Sequence, residues 1–123
     1  MSYMTDYKLT VRNVETLTFF KDLVDAMKQK DLIHYAFNDG DYDQKGMEAV
    51  FLPYERVTWT DHVTDMMFLA EKFPKMYFNL EGIGESFGDV WCLYFHDMDI
   101  ESCHGEIVFE QPKKVQWTEL VEF

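Results

Sequence analysis

Cysteine, proline, glycine and positive charge are all scarce somewhere in this 123-residue chain, and each scarcity excludes something. Two cysteines, Cys92 and Cys103, are too few for a disulfide scaffold; they read as free thiols, which with eight methionines suits a reducing compartment. No apolar run approaches the roughly 20 residues of a membrane-spanning helix, and the first six residues lack the basic-then-apolar order of an export signal. A cytoplasmic location is expected. Three prolines and six glycines form no linker, repeat or low-complexity segment, so residues 1–123 read as a single domain. Between Lys75 and Lys113 there is no Lys or Arg. Direct binding to nucleic acid or to an anionic membrane is therefore not expected, because phosphate contacts need cationic side chains.

Apolar and acidic side chains are what the chain has in quantity. A hydrophobic content of 47%, with 11 Phe, 7 Tyr and 3 Trp, provides a core and lies far from the composition of disordered chains. The formal charge of −12 is unevenly spread. Residues 1–30 hold four acids and five bases, residues 31–75 nine and four, residues 76–112 eight and none, and residues 113–123 two of each. The third segment must project a negative field from whatever face it forms.

Alternation over residues 7–11, with Leu9 and Val11 on one side, predicts a first strand. Asn13 is placed to cap a helix in which Leu17, Phe20, Val24 and Met27 recur at helical spacing. Residues 32–37 read as a second strand, residues 38–46 as a hairpin connection, and residues 47–59 as a long third strand in which Pro53 requires an edge, a bulge or a break. Thr58 or Thr60 is expected to cap a second helix carrying Val63, Met66, Met67, Ala70 and Phe73, which Pro74 stops. Beyond it, Met76, Phe78 and Leu80 alternate with polar partners in a half-buried strand. Residues 89–96 give another, with Trp91, Leu93 and Phe95 on one face. Residues 102–111 give a last, with a possible bulge at Gly105. The order β-α-β-β-α-β is that of an α+β ferredoxin-like sandwich extended by two C-terminal antiparallel strands, helices on one face.

Four groups of residues carry side chains of the types that chemistry uses. Asp39, Asp41 and Asp43 alternate as at the start of a calcium loop, but Gln44 stands where the turn glycine belongs and Val50 where the bidentate glutamate belongs, so a solvated hairpin tip is the better reading. Cys92, His96, Cys103 and His104 offer zinc-type ligands, yet neighbours on a strand point to opposite faces, and no metal site or cofactor is expected. The run Gly82-Ile83-Gly84-Glu85-Ser86-Phe87-Gly88 is only superficially a phosphate loop, since a strand rather than a helix follows it. No nucleophile, base and orienter occur at motif spacing, so the chain reads as no enzyme and no catalytic residue is assigned. The aromatics Trp59, Phe73, Phe78, Trp91, Tyr94 and Phe95 are read as core.

The acidic set Glu81, Glu85, Asp89, Asp97, Asp99, Glu101, Glu106 and Glu110 has most functional leverage. A solvated face that promotes solubility is the plain reading. Clustering favours another: carboxylates spaced along twisted strands imitate a phosphate backbone offered to a basic channel.

Residues 58–95 carry Trp59 before a helix, Phe73-Pro74 at its end, Phe78-Asn79-Leu80-Glu81, then the glycine run just quoted, Asp89-Val90-Trp91 and Tyr94-Phe95. This segment resembles small proteins of bacteriophages and mobile elements and is similar to YubB-like ferredoxin-like domains. The resemblance implies the fold, brings no catalytic residues, and leaves Ile83 and Phe87 as apolar departures at turn positions, a contact site in expectation. Small acidic proteins of such origin are often inhibitors of restriction or CRISPR defences. The resemblance thus implies a non-enzymatic inhibitor in a bacterial host cell, its partner a basic nucleic-acid-binding protein such as a CRISPR effector or restriction nuclease. Its partner-binding residues would be the eight carboxylates and Phe87. The alternatives are a structural or regulatory domain that self-associates as a homodimer, and a metal-dependent hydrolase that uses the same carboxylates with magnesium.

Overall fold

The computed structural model describes residues 3–108 and 114–120, with side chains through residue 102. The elements run β1 (Thr5–Arg12), α1 (Leu17–Gln29), β2 (Asp41–Asp43), β3 (Glu48–Phe51), α2 (His62–Lys72), β4 (Tyr77–Gly84), β5 (Val90–His96), β6 (Asp99–Val108) and β7 (Lys114–Leu120). All seven strands form one sheet in the order β2-β3-β1-β4-β5-β6-β7, and every pairing is antiparallel. The chain is α+β, and the order is compatible with a ferredoxin-like arrangement. β7 occupies a tail too short to assign from its sequence.

Burial explains the two layers. Leu9, Val11, Phe51, Phe78, Leu80 and Phe95 point from the sheet into a core closed by Leu23, Ala26 and Met27 of α1 and Met66, Leu69 and Ala70 of α2. Period-2 alternation in the strands meets period-3.6 stripes on the helices, so a single face of the sheet is covered. The aromatics assigned to the core divide: Trp59, Phe73, Phe78 and Phe95 are buried, Trp91 is partly buried against the core, and Tyr94 stands half-exposed on the other face.

Several expected local features are corrected. Residues 32–37 are not a strand: Asp31 and His34 take positive φ, and the Leu32 carbonyl accepts from the amides of Ala36 and Phe37. Compact turns bury Leu32, Ala36 and Phe37 as a strand would have done, so the apolar content was informative and its period was not. The hairpin partner of β3 is β2, inside the expected hairpin connection, and its other neighbour is β1. The long third strand ends at Phe51. Pro53 makes only an isolated bridge to Phe37, and Val57 another to Thr5. α1 is capped by Thr16, whose hydroxyl accepts from the Phe19 amide at 3.1 Å, while Asn13 sits at φ 65 and donates to the Lys75 carbonyl. Asp61 is the first flanking residue of α2, in place of either threonine, and Pro74 follows its end. Gly105 makes no bulge, because β6 and β7 pair continuously from Ser102 to Val108.

The free-thiol reading is also overturned. Cys92 is disulfide-bonded. Its Cα partner across the β5–β6 ladder is Cys103, the chain's only other cysteine. Directly opposed residues of antiparallel strands lie within disulfide reach. The inference from thiols to a reducing compartment is withdrawn with it. No helix among the described residues is long and apolar enough to cross a membrane.

Candidate binding surface

The face opposite the helices carries no covering element among the described residues, and strand register decides what stands on it. One row runs Val50, Thr10, Asn79, Tyr94, Glu101 across β3, β1, β4, β5 and β6. A second begins Glu48, Arg12, Tyr77 and ends in the His96–Asp99 pair. The two halves of that row meet where the Tyr77 and His96 rings stack, centroids 4.0 Å apart and 11° from parallel. A third row sets Lys8 against Glu81 and Glu81 against Cys92. Lys8 and Arg12 of β1 therefore stand between acids on both sides, Asp41, Asp43 and Glu48 of β2 and β3 on one and Asp99 and Glu101 of β6 on the other, with aromatic and amide groups on β4 and β5.

Glu81 is half-buried. Burial pushes its carboxyl above the ordinary value, and the attraction of Lys8 offsets part of that rise. Asn79 Nδ2 donates to Glu81 Oε1 at 3.5 Å, while Asn79 Oδ1 is buried with no hydrogen-bond donor among the described residues. Between the first two rows lies a groove of about 260 Å³. Arg12 stands on its far side, 3.4 Å from Glu48.

The sequence-predicted residues fall into three places. Glu81, Asp99 and Glu101 share the open face through the register. Glu85, Phe87 and Asp89 lie in the β4–β5 connection at one end of the strands, and Asp97 in the β5–β6 turn at the other, about 20 Å away by strand rise over β5. Asp97 takes φ 53, a conformation Asp tolerates, so it shapes the turn. Asp89 is half-buried and accepts from the Tyr3 hydroxyl, and the same phenol oxygen accepts from the Ser86 amide at 3.0 Å. That tie holds the connection while Phe87, 74% exposed, and Glu85 project outward. The Glu106 side chain and all of Glu110 lie outside the described residues.

Sequence reasoning read Tyr94 as core, and it did not bring Tyr77, Asn79 and His96 together on one face or set the base stripe of Lys8 and Arg12 beside the acids. The pairing of the first strand with the fourth was the needed signal, and it is a long-range fact. Asp39, Asp41 and Asp43 do not converge: the Asp43 carboxylate accepts from the Lys45 amide and Asp39 lies 3.5 Å from His34. The disulfide removes the Cys92 thiolate from the zinc-like spacing. Among the described residues, no three His, Cys, Asp or Glu side chains are arranged to hold a metal ion.

On the helix side a second concavity borders Tyr3, Asp89, Trp91 and His62. Its rings pack mainly against one another: Tyr7 meets Trp59 edge-on at 5.1 Å and Trp91 at 5.9 Å. Burial raises the Tyr7 phenol above its ordinary value, as expected of a core tyrosine. Compared with known protein families, curated proteins and solved structures, the chain matches none.

Proposed function

We propose that this chain is a non-enzymatic binding protein of ferredoxin-like fold whose acidic open face and strand ends occupy the basic nucleic-acid site of a host-defence enzyme, of the CRISPR-effector or restriction-nuclease kind. One observation carries the reading: strand register gathers Glu81, Asp99 and Glu101 on a face that no described helix covers. The turns at both ends of these strands add Glu85 and Asp97, and no base occurs between residues 75 and 113. A surface of this kind is attracted to a channel built to hold phosphates. Exposed Phe87 on its ordered connection would anchor the contact, since buried aromatics concentrate binding energy at interfaces.

Self-association through the open face is the competing reading. It would bring like charges on β6 toward their copies, which opposes it unless Lys8 and Arg12 are paired across the interface. Pulldown with the purified protein from bacterial lysate, eluted between low and moderate salt, separates the two. Recovery of a basic nuclease or CRISPR effector, released by salt and by competing DNA, is the expected result. Recovery of the protein alone, together with dimer mass by light scattering, transfers the assignment to the self-associating domain.

A further inference from the structure

We infer that the groove on the open face, bounded by Tyr77, Asn79, Tyr94, His96, Asp99 and Glu101, receives an arginine side chain of the basic partner. The class of partner rests on the function proposed above; the chemistry of the groove does not.

Size is the first reason. At about 260 Å³ the groove falls below the range of pockets that enclose drug-sized ligands, roughly 300–1,000 Å³, and suits one long side chain. Charge is the second. Asp99 and Glu101 stand two positions apart on one face of β6, so their Cα atoms are about 7 Å apart by strand rise. Their exposed oxygens would repel a phosphate and accept the forked N–H donors of a guanidinium. The one guanidinium already at the groove, that of Arg12, is drawn to Glu48 at its far side.

Stacking makes arginine a better fit than lysine. The parallel Tyr77 and His96 rings and the Tyr94 ring supply flat faces on which a planar, weakly hydrated guanidinium packs, whereas an ammonium is a compact and strongly hydrated charge.

Nuclear magnetic resonance titration of the isotopically labelled full chain with N-acetyl-arginine methylamide tests this directly, using the lysine and citrulline analogues as controls. Saturable shifts of the Asn79 side-chain amide and of the Tyr94, His96 and Glu101 backbone amides are expected with arginine, several-fold weaker binding with lysine, and no saturable shift with uncharged citrulline. The double variant Asp99→Asn/Glu101→Gln should weaken arginine binding by about tenfold or more at unchanged melting temperature, while Glu71→Gln, exposed on α2 across the sheet, does not. Equal response to citrulline, or no saturation with arginine into the millimolar range, overturns the inference. Arginine binding in the groove by a protein that displaces no DNA from any defence enzyme upholds this inference and rejects the inhibitor. Inhibition by a protein whose groove ignores arginine does the reverse.

Discussion

Along β4 the side chains alternate between two environments that differ in everything but backbone. Phe78 and Leu80 are packed beneath the helices with almost no exposed surface, while Tyr77, Asn79 and Glu81 stand on the uncovered face beside β1 and β5. The covered face is explained by folding: each apolar group there removes surface from water and fills a close-packed layer. The open face is not so explained. It holds a half-buried carboxylate, an amide oxygen with no donor among the described residues and two acids beside aromatic rings, features that cost stability or leave it unchanged. Where folding gives no reason for a pattern, binding is the natural source of one.

The sharpest way to break this contrast is truncation on the covered side. Phe78→Ala should cost about 3–5 kcal/mol, a large part of the stability of a domain this size, whereas Glu101→Gln should stay within roughly 0.5 kcal/mol. Chemical denaturation of the two variants measures both. Next in size is the disulfide. Reduction should cost about 2–3 kcal/mol, as for a short closed loop, and native unreduced protein should take up no thiol reagent at Cys92. Gly82→Ala comes third, at about 1–3 kcal/mol by overpacking, because a Cβ there would overlap the Trp91 indole that lies across Gly82 on the covered face.

The smallest effect belongs to the open face and depends on pH. A carboxyl whose folded value is raised keeps its proton more readily in the folded chain than in the unfolded one. Its contribution is fully present below the ordinary value of 4.5 and is lost as pH rises through the raised folded value. Glu81→Gln should therefore be more stable than the parent at pH 7 and lose that advantage below pH 4.5, seen in melting temperatures across the two conditions. A pH-independent difference would mean that burial is not what raises the Glu81 carboxyl.

Much of the covered face was legible in the sequence because local period encodes it. Met76, Phe78 and Leu80 alternate, Leu23 and Met27 recur at helical spacing, and Pro74 ends a helix; each is decided within a few residues. The failures were of two kinds. Positive φ at Asp31 and His34 turned an apolar segment into buried turns, which period cannot distinguish from a short strand. The open face was hidden for a different reason. That Asn79 stands between Thr10 and Tyr94, that Lys8 faces Glu81, and that Cys92 faces Cys103 are consequences of register between distant segments. The charge run without bases was visible from the start, but its division among one face and two strand ends was not.

The most direct test of the account is competition for DNA. A panel of purified CRISPR effectors and restriction nucleases, each holding fluorescent DNA, is titrated with the parent protein and with the triple reversal Glu85→Lys/Asp99→Lys/Glu101→Lys at several salt concentrations. The account predicts that the parent displaces DNA from at least one enzyme, less effectively as salt rises, and that the reversal, folded and of similar melting temperature, does not. Displacement by the reversal as strong as by the parent, or by neither from any enzyme of the panel, would contradict it.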